Sequence, residues 1–397
     1  MSSTPAATSA HPALLTPGLV RILSIAAGAT VANNYYNQPM VGMLSVEFGV
    51  GVGTVAAVPV LTQAGNALGV FLLAPLGDRI ERKSLILATL AALIVALIAA
   101  ASSSSFIGLA VACMAIGLFA TVTQQLVPMA VHLSAPGDRG HVLGVVTGGI
   151  LIGILLARTV SGAMSDAFGW RSVFWFAAFA MLVVGLVLAR RLPKVRPTAD
   201  LSYGRLLLSM WTLVRAHALL RRAVAIQFLI FAAFIGFWAN LALVLLEPAY
   251  GLGATAAGLF ALVGVCGALA APIAGRFADR RGHAAVVTMG AVLVVVAFAI
   301  FGLFQGSIAA LIVGILVLDV AVQASQVANQ TMVYALDADA RSRLNTVFMG
   351  SMLMGGAFGA GVAGMAYARF GWVGVCVFGG VAAAVAFAMS SRRPGDR

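Results

Sequence analysis

Long apolar runs, each broken by a short knot of charge or turn residues, recur from end to end of the 397-residue chain. Ser84 to Ala101 and Ala284 to Phe304 contain no charged residue and come close to the roughly 20 residues that a helix needs to span hydrocarbon. The runs are continuous, whereas a transmembrane barrel alternates over segments of roughly 10 residues. Helices therefore remain as the structure that satisfies the backbone within lipid. Cutting at the breaks predicts twelve spans, at about 19–45, 54–76, 84–101, 106–132, 142–165, 172–189, 222–246, 254–275, 284–304, 307–335, 345–367 and 372–390.

Composition agrees with this pattern. The chain is 61% hydrophobic and 9% charged, with a mean hydropathy of +1.04, where a soluble domain has about 45–50% apolar and about 25% charged residues. A net charge of +12 would suggest nucleic acid in a soluble protein, but here its placement matters more. An even number of spans puts both ends on one side, and 21 of the 24 lysines and arginines fall on that side. Only Arg171 and Arg369 fall opposite, and Arg158 lies inside the fifth span. The positive-inside rule then predicts a multi-pass protein of the inner (plasma) membrane with both termini cytoplasmic. Cys113, Cys266 and Cys376 all lie inside apolar runs, which predicts neither a disulfide framework nor a thiolate metal site.

The longest polar connection, 191–221, divides a predicted six-helix bundle at 19–190 from a second at 222–391, with cytoplasmic tails at 1–18 and 392–397. The first tail is rich in Ser, Thr, Ala and Pro, lacks a basic start, and reads as disordered. Within the connection, Tyr203 to Leu220 places Leu206, Leu207, Met210, Trp211 and Leu213 beside Arg205 and Arg215. That pattern predicts an amphipathic helix lying on the anionic inner leaflet.

The halves repeat one another. The knot Leu76-Gly77-Asp78-Arg79-Ile80-Glu81-Arg82-Lys83 is echoed by Gly275-Arg276-Phe277-Ala278-Asp279-Arg280-Arg281-Gly282-His283, the Asp-Arg pair returning 201 positions later. Phe168-Gly169-Trp170 returns as Phe370-Gly371-Trp372, Arg139 as Arg341, and Gly148, Gly153 and Gly162 as Gly350, Gly355 and Gly364, all at an offset of 202. One shift over loops and spans alike points to two halves related by an axis along the membrane normal.

On these residues the chain resembles the major facilitator superfamily, over its whole length apart from the N-terminal tail. That family's loop signature is Gly-x-x-x-Asp-Arg-x-Gly-Arg-Lys. The first copy here keeps Asp78, Arg79, Arg82 and Lys83 but has Ala74 and Glu81 where the family prefers glycine; the second keeps Gly275, Asp279, Arg280 and Gly282. The resemblance implies an all-α membrane protein of twelve transmembrane helices in two pseudo-symmetric six-helix bundles. It implies a transporter and not an enzyme, with no cofactor, a proton gradient as energy source, a small-molecule substrate, no nucleic acid, and a monomeric state. It also implies gating by Asp78, Arg79, Arg82, Asp279 and Arg280 through pairs with neighbouring helix ends; the plainer alternative is that the arginines only anchor topology.

Two charges lie deep in the spans. Arg158 is eight residues, or about 12 Å of helix rise, from Asp166 at the end of span five. Asp319 is about 12 residues into span ten, at similar depth. Charges at such depth cost about 2.5–3.5 kcal/mol even on lenient insertion scales and face a cavity or a partner. Asp319 is the predicted proton carrier with Arg158 as its partner; a permanent buried ion pair is the structural alternative.

Polar side chains complete the predicted substrate site: Asn34, Tyr36, Asn37 and Gln38 in span one, Gln124 and Gln125 in span four, Trp238 and Asn240 in span seven, and Gln323, Gln326 and Gln330 in span ten. The last three share one helix face with Asp319, and in the family spans one, four, seven and ten line the central cavity. Interhelical hydrogen bonding is the alternative for any single amide, expected above all for Asn33, Gln63 and Asn66. In span five, Gly149, Gly153, Ala157, Ser161 and Ser165 form a ridge for close helix packing, and no Gly-Pro signature of proton-driven drug exporters is present. No phosphate loop, metal-ligand histidine spacing or nucleophile elbow occurs.

The leading expectation is proton-coupled export of a sugar- or drug-like small organic molecule by alternating access. Its direction is taken from the resemblance of Tyr35-Tyr36-Asn37-Gln38-Pro39 and Asn345-Thr346 to the efflux branch of the family. The alternatives are proton symport that imports an organic anion or other nutrient, and a non-transporting scaffold or receptor.

Overall fold

The computed structural model describes residues 15–135, 138–194, 203–269, 282–337 and 340–391. Asp279 and Arg280, most of the first tail, and the tail 392–397 lie outside the described residues, as does the side chain of Asp78. The described secondary structure is helical throughout. In chain order the α-helices are α1 (Pro17–Ala32), α2 (Val41–Phe48), α3 (Val52–Val55), α4 (Ala57–Leu73), α5 (Arg82–Ala101), α6 (Phe106–Phe119), α7 (Thr123–Leu133), α8 (Arg139–Phe168), α9 (Trp170–Arg191) and α10 (Tyr203–Ala216). They continue as α11 (Ala218–Leu245), α12 (Ala254–Leu269), α13 (His283–Leu303), α14 (Ile308–Tyr334) and α15 (Arg341–Ser391).

Among the described residues, nine helices are long and apolar enough to cross a membrane. The last of them is two helices meeting at Gly371, and α1 and the first part of α12 are shorter apolar helices. The twelve expected positions are thereby occupied. The repeated Phe-Gly-Trp has a backbone cause: Gly169 and Gly371 both take positive φ, 79° and 60°, which an L side chain resists. Each glycine turns the chain into the next helix and buries the tryptophan that follows it, Trp170 or Trp372.

The first span is not one helix. It breaks between Ala32 and Val41, where Asn33 turns its amide onto the carbonyls of Ala29 and Thr30, both at 3.0 Å, and Asn34 onto that of Val31. Short amide side chains that bond local carbonyls compete with the helix ladder, so the expected interhelical bond of Asn33 gives way to a local one. The freed backbone is tolerated because it is buried in protein, not exposed to lipid.

Small residues set how the helices pack. A Cβ added at Gly153 of α8 would lie 2.2 Å from the Gly28 carbonyl oxygen of α1, and one at Gly359 of α15 would lie 2.0 Å from the Ala232 oxygen of α11. The ridge of span five is thus a packing face, and the second half builds the same joint. Contacts between the halves repeat as well: Gly162 abuts Ala254 of α12, and Gly364 abuts Ala56 at the start of α4.

The connecting helix α10 forms as expected over Tyr203–Ala216, and part of its apolar stripe packs on protein. Met210 and Leu213 pack into one apolar cluster with Leu220 of α11, Val333 of α14 and Leu344 and Phe348 of α15, and the Tyr203 hydroxyl donates to the Leu72 carbonyl at 2.8 Å. The helix ends it meets offer apolar side chains that bury Met210 and Leu213. Leu208 and Trp211 remain exposed.

Replacing Gly153 by leucine is expected to force α1 and α8 apart, at a cost of about 1–3 kcal/mol as for other overpacked interiors. A fall in the melting temperature of the purified protein, with no such fall for Gly148→Leu, where an added Cβ meets open space, checks this.

Candidate functional site

The break in the first span carries Tyr35, Tyr36, Asn37 and Gln38 into the middle of the protein, where they meet α8 and α11. Arg158, 3% exposed, donates from Nε to Gln38 Oε1 at 2.8 Å. Its guanidinium carbon lies 4.3 Å from the Trp238 ring centroid and 4.8 Å from that of Tyr35. Desolvated cation–π contacts of this kind are worth about 2 kcal/mol, which offsets part of the burial cost. Below the guanidinium, Ser161 donates to the Tyr36 carbonyl at 2.6 Å and fixes the broken segment to α8.

Asp319 on α14 is also buried, and Gly264 of α12 makes room for it: a Cβ there would stand 3.3 to 3.4 Å from the carboxylate oxygens. Its Oδ2 has no hydrogen-bond partner among the described residues. Arg158 and Asp319 lie close enough for each to feel the other's charge, yet no ion pair within 4 Å between them occurs among the described residues. The direct partner expected for Arg158 is replaced by Gln38, because the break in the first span brings an amide oxygen into reach. α12 packs against both residues, with Gly258 against the Arg158 backbone and Gly264 against the Asp319 carboxylate.

The other predicted residues divide. Gln124 and Gln125 line a small cleft between the halves, together with Val70, Gly77, Arg82, Asn345 and Thr346. It opens near the side from which α1 starts, the terminal side, and buried Gln125 has neither amide atom bonded among the described residues. Gln330 sits at the terminal end of α14, donating to Tyr334 Oη at 2.7 Å and to Asn345 Oδ1 at 3.1 Å. Asn37 instead ties the broken segment to α4 by a 2.7 Å bond to Thr62 Oγ1, and Asn240 bonds its own helix at the Gly236 carbonyl, 2.8 Å away. Gln323 and Gln326 are half-buried on the face of α14 they share with Asp319. In the first loop Arg79 is exposed, Arg82 donates to the Gly77 carbonyl at 3.1 Å, and Lys83 reaches the Leu192 carbonyl at 2.9 Å.

Sequence reasoning missed three features. Tyr35, adjacent to the chosen Tyr36, is the ring that meets Arg158. Asn329 donates to Gln227 Oε1 at 3.3 Å, a buried amide pair between α14 and α11, and its signal was present as two further amides at mid-span. On the far side, opposite the terminal one, Asp166 bridges α8 to α12: its Oδ2 accepts from the Thr255 backbone N–H at 2.8 Å and hydroxyl at 2.5 Å. One helical turn or two deeper, the Thr159 hydroxyl donates to the Gly258 carbonyl at 2.9 Å.

The architecture has close counterparts. The chain is 38% identical over 371 residues to an uncharacterized transporter, YgaY, of Escherichia coli, covering 94% of each chain. It is 33% identical over 407 residues to a probable transporter of Streptomyces coelicolor, covering 99% of this chain and 94% of that one. Among solved structures, a mutant form of the nucleoside transporter NupG superposes with a TM-score of 0.78 at 15% identity, over 93% of this chain and 98% of the other. The sequence profile of the Major Facilitator Superfamily matches residues 23–266 and 223–396. Twelve helix positions, the repeated packing joints and these matches together make the chain a member of the Major Facilitator Superfamily, a multi-pass secondary transporter and not an enzyme.

Proposed function

We propose that the protein exports a small organic molecule in exchange for protons, by alternating access about the Arg158 and Asp319 cluster, with the terminal side cytoplasmic. The observation that carries the coupling is Asp319: a carboxylate buried at mid-span with one oxygen unpartnered is a group that gains by binding a proton. Arg158 nearby favours the charged form, so a change in their separation between states loads and releases that proton. The membership of a transporter family supports the class of activity, and the arginine-rich loops support the orientation.

The disposition of the two sides supports alternating access. Asp166, Thr159, Gly162 and Gly258 close α8 onto α12 at the far side, while the cleft lined by Gln124, Gln125 and Asn345 lies toward the terminal side. The halves also touch toward the terminal side, where Gly350 of α15 abuts the Phe71 ring of α4. Opening to the far side requires the Asp166 bonds to break, which makes them a latch between the bundles.

Asp319→Asn is expected to abolish proton-driven accumulation in inverted vesicles while leaving substrate exchange down its own gradient and membrane insertion intact. A first substrate comes from a thermal-shift screen, and proton movement on its addition gives direction: export alkalinises the vesicle lumen, import by symport acidifies it. Proton-driven accumulation unchanged in Asp319→Asn would remove the coupling role. Asp166→Ala is expected to favour the far-side-open state. Labelling of Ala254→Cys by a membrane-impermeant maleimide, with the three native cysteines replaced, is expected to rise severalfold.

A further inference from the structure

The cluster around Arg158 has an excess of unpaired donors, and the excess is forced. Arg158 can only donate, so Gln38 must present its oxygen to Nε; the Gln38 Nε2 amino group is thereby turned away, buried and without an acceptor. Arg158 Nη2 and Trp238 Nε1, both buried, also have no acceptor among the described residues. Three donor groups from α8, α11 and the broken first span thus lie around one guanidinium. Buried donors left unpaired cost about 1–3 kcal/mol each, more when charged, and a native protein keeps such a set where something else supplies the acceptors.

We infer that the cargo carries a carboxylate and that Arg158 is its receptor, with Trp238 and Gln38 as flanking donors. This rests on the transporter reading above and deepens it by naming a substrate class. Asp319 leaves the guanidinium without a direct ion pair, since no bond of 4 Å or less links it to Arg158 among the described residues, and its own side chain faces Gly264 of α12. A single guanidinium supplies one positive charge, which matches a monoanion. Its planar fork also matches the planar, two-oxygen geometry of a carboxylate, whereas a phosphate dianion would keep a net buried charge. The two aromatic rings against the guanidinium carbon exclude water and strengthen the charge pairing.

Acetate, lactate, benzoate and phenylacetate, each beside its primary amide, form the probe set for the purified full-length protein at pH 7, read by thermal shift and by quenching of tryptophan fluorescence. At least one acid is expected to bind, and its amide to bind at least about tenfold more weakly, the size of one lost charged hydrogen bond. Gln38→Glu is the decisive variant: it places a tethered carboxylate beside Arg158, its folding is checked by its own melting transition, and it is expected to weaken acid binding by at least about tenfold. Trp238→Phe, which removes one donor and keeps a ring, is expected to weaken it severalfold. Binding of none of the four acids, equal binding of acids and amides, or undiminished acid binding in Gln38→Glu would each overturn the inference. Proton-coupled transport of an uncharged compound that is lost in Asp319→Asn would overturn it while leaving the proposed function standing; acid binding with coupling unchanged in Asp319→Asn would do the reverse.

Discussion

A guanidinium held in the middle of a membrane protein without a carboxylate in contact is the constraint around which the centre of this molecule is arranged. Arg158 cannot shed its charge and is only 3% exposed in this conformation, so neutral protein groups must replace most of its water. Gln38 offers an oxygen and Tyr35 and Trp238 offer ring faces. For the first of these to arrive, the first span must stop being a helix, and Asn33 and Asn34 stop it by bonding the carbonyls that the next turn would have used. The irregular stretch and the buried charge therefore belong to one arrangement.

Around that centre the scaffold is built twice from the same joints. Glycines on α8 meet the backbone of α1, and glycines on α15 meet the backbone of α11. Lipid offers no hydrophobic drive for helices to associate, so close backbone approach and the dispersion contacts it permits hold each half together. The contacts between halves use the same device at Gly162 and Gly364, but there the polar bonds of Asp166 and Thr159 are added. Interfaces closed by a few directional bonds over small residues separate more readily than the interlocked joints within a half, and a carrier needs that difference.

The centre departs from the repeat. By the offset of 202 Arg158 corresponds to Ala360, and by 201 Asp319 corresponds to Leu118. The scaffold has no need of either charge, since the matching positions in the other half pack without one. What is asymmetric in the chain is also what is costly to bury, and both features fall at the one place where three helices from the two halves and a broken span converge.

The local properties of the chain were legible without coordinates. Hydropathy adds residue by residue, so spans emerge from composition within a window; a positive-φ turn demands glycine wherever it occurs, so Gly169 and Gly371 advertise the repeat; and a lone charge in an apolar run is visible as such at Arg158 and Asp319. Which side chain meets which was not legible, because amides satisfy themselves with whatever acceptor is nearest. Asn37 found Thr62, Asn33 and Asn240 found their own helices, Gln330 found Tyr334 and Asn345, and Arg158 found an oxygen 120 residues away instead of the expected carboxylate. The apolar stripe of α10 was likewise plain in sequence, while the packing of Met210 and Leu213 on α11, α14 and α15 depended on where those helices end. Sequence alone thus determined the number and period of the membrane helices, since each depends on near neighbours. Only the tertiary structure decided the partners of the polar groups, since hydrogen bonds reach about 3 Å and that distance is set by the packing of segments far apart in the chain.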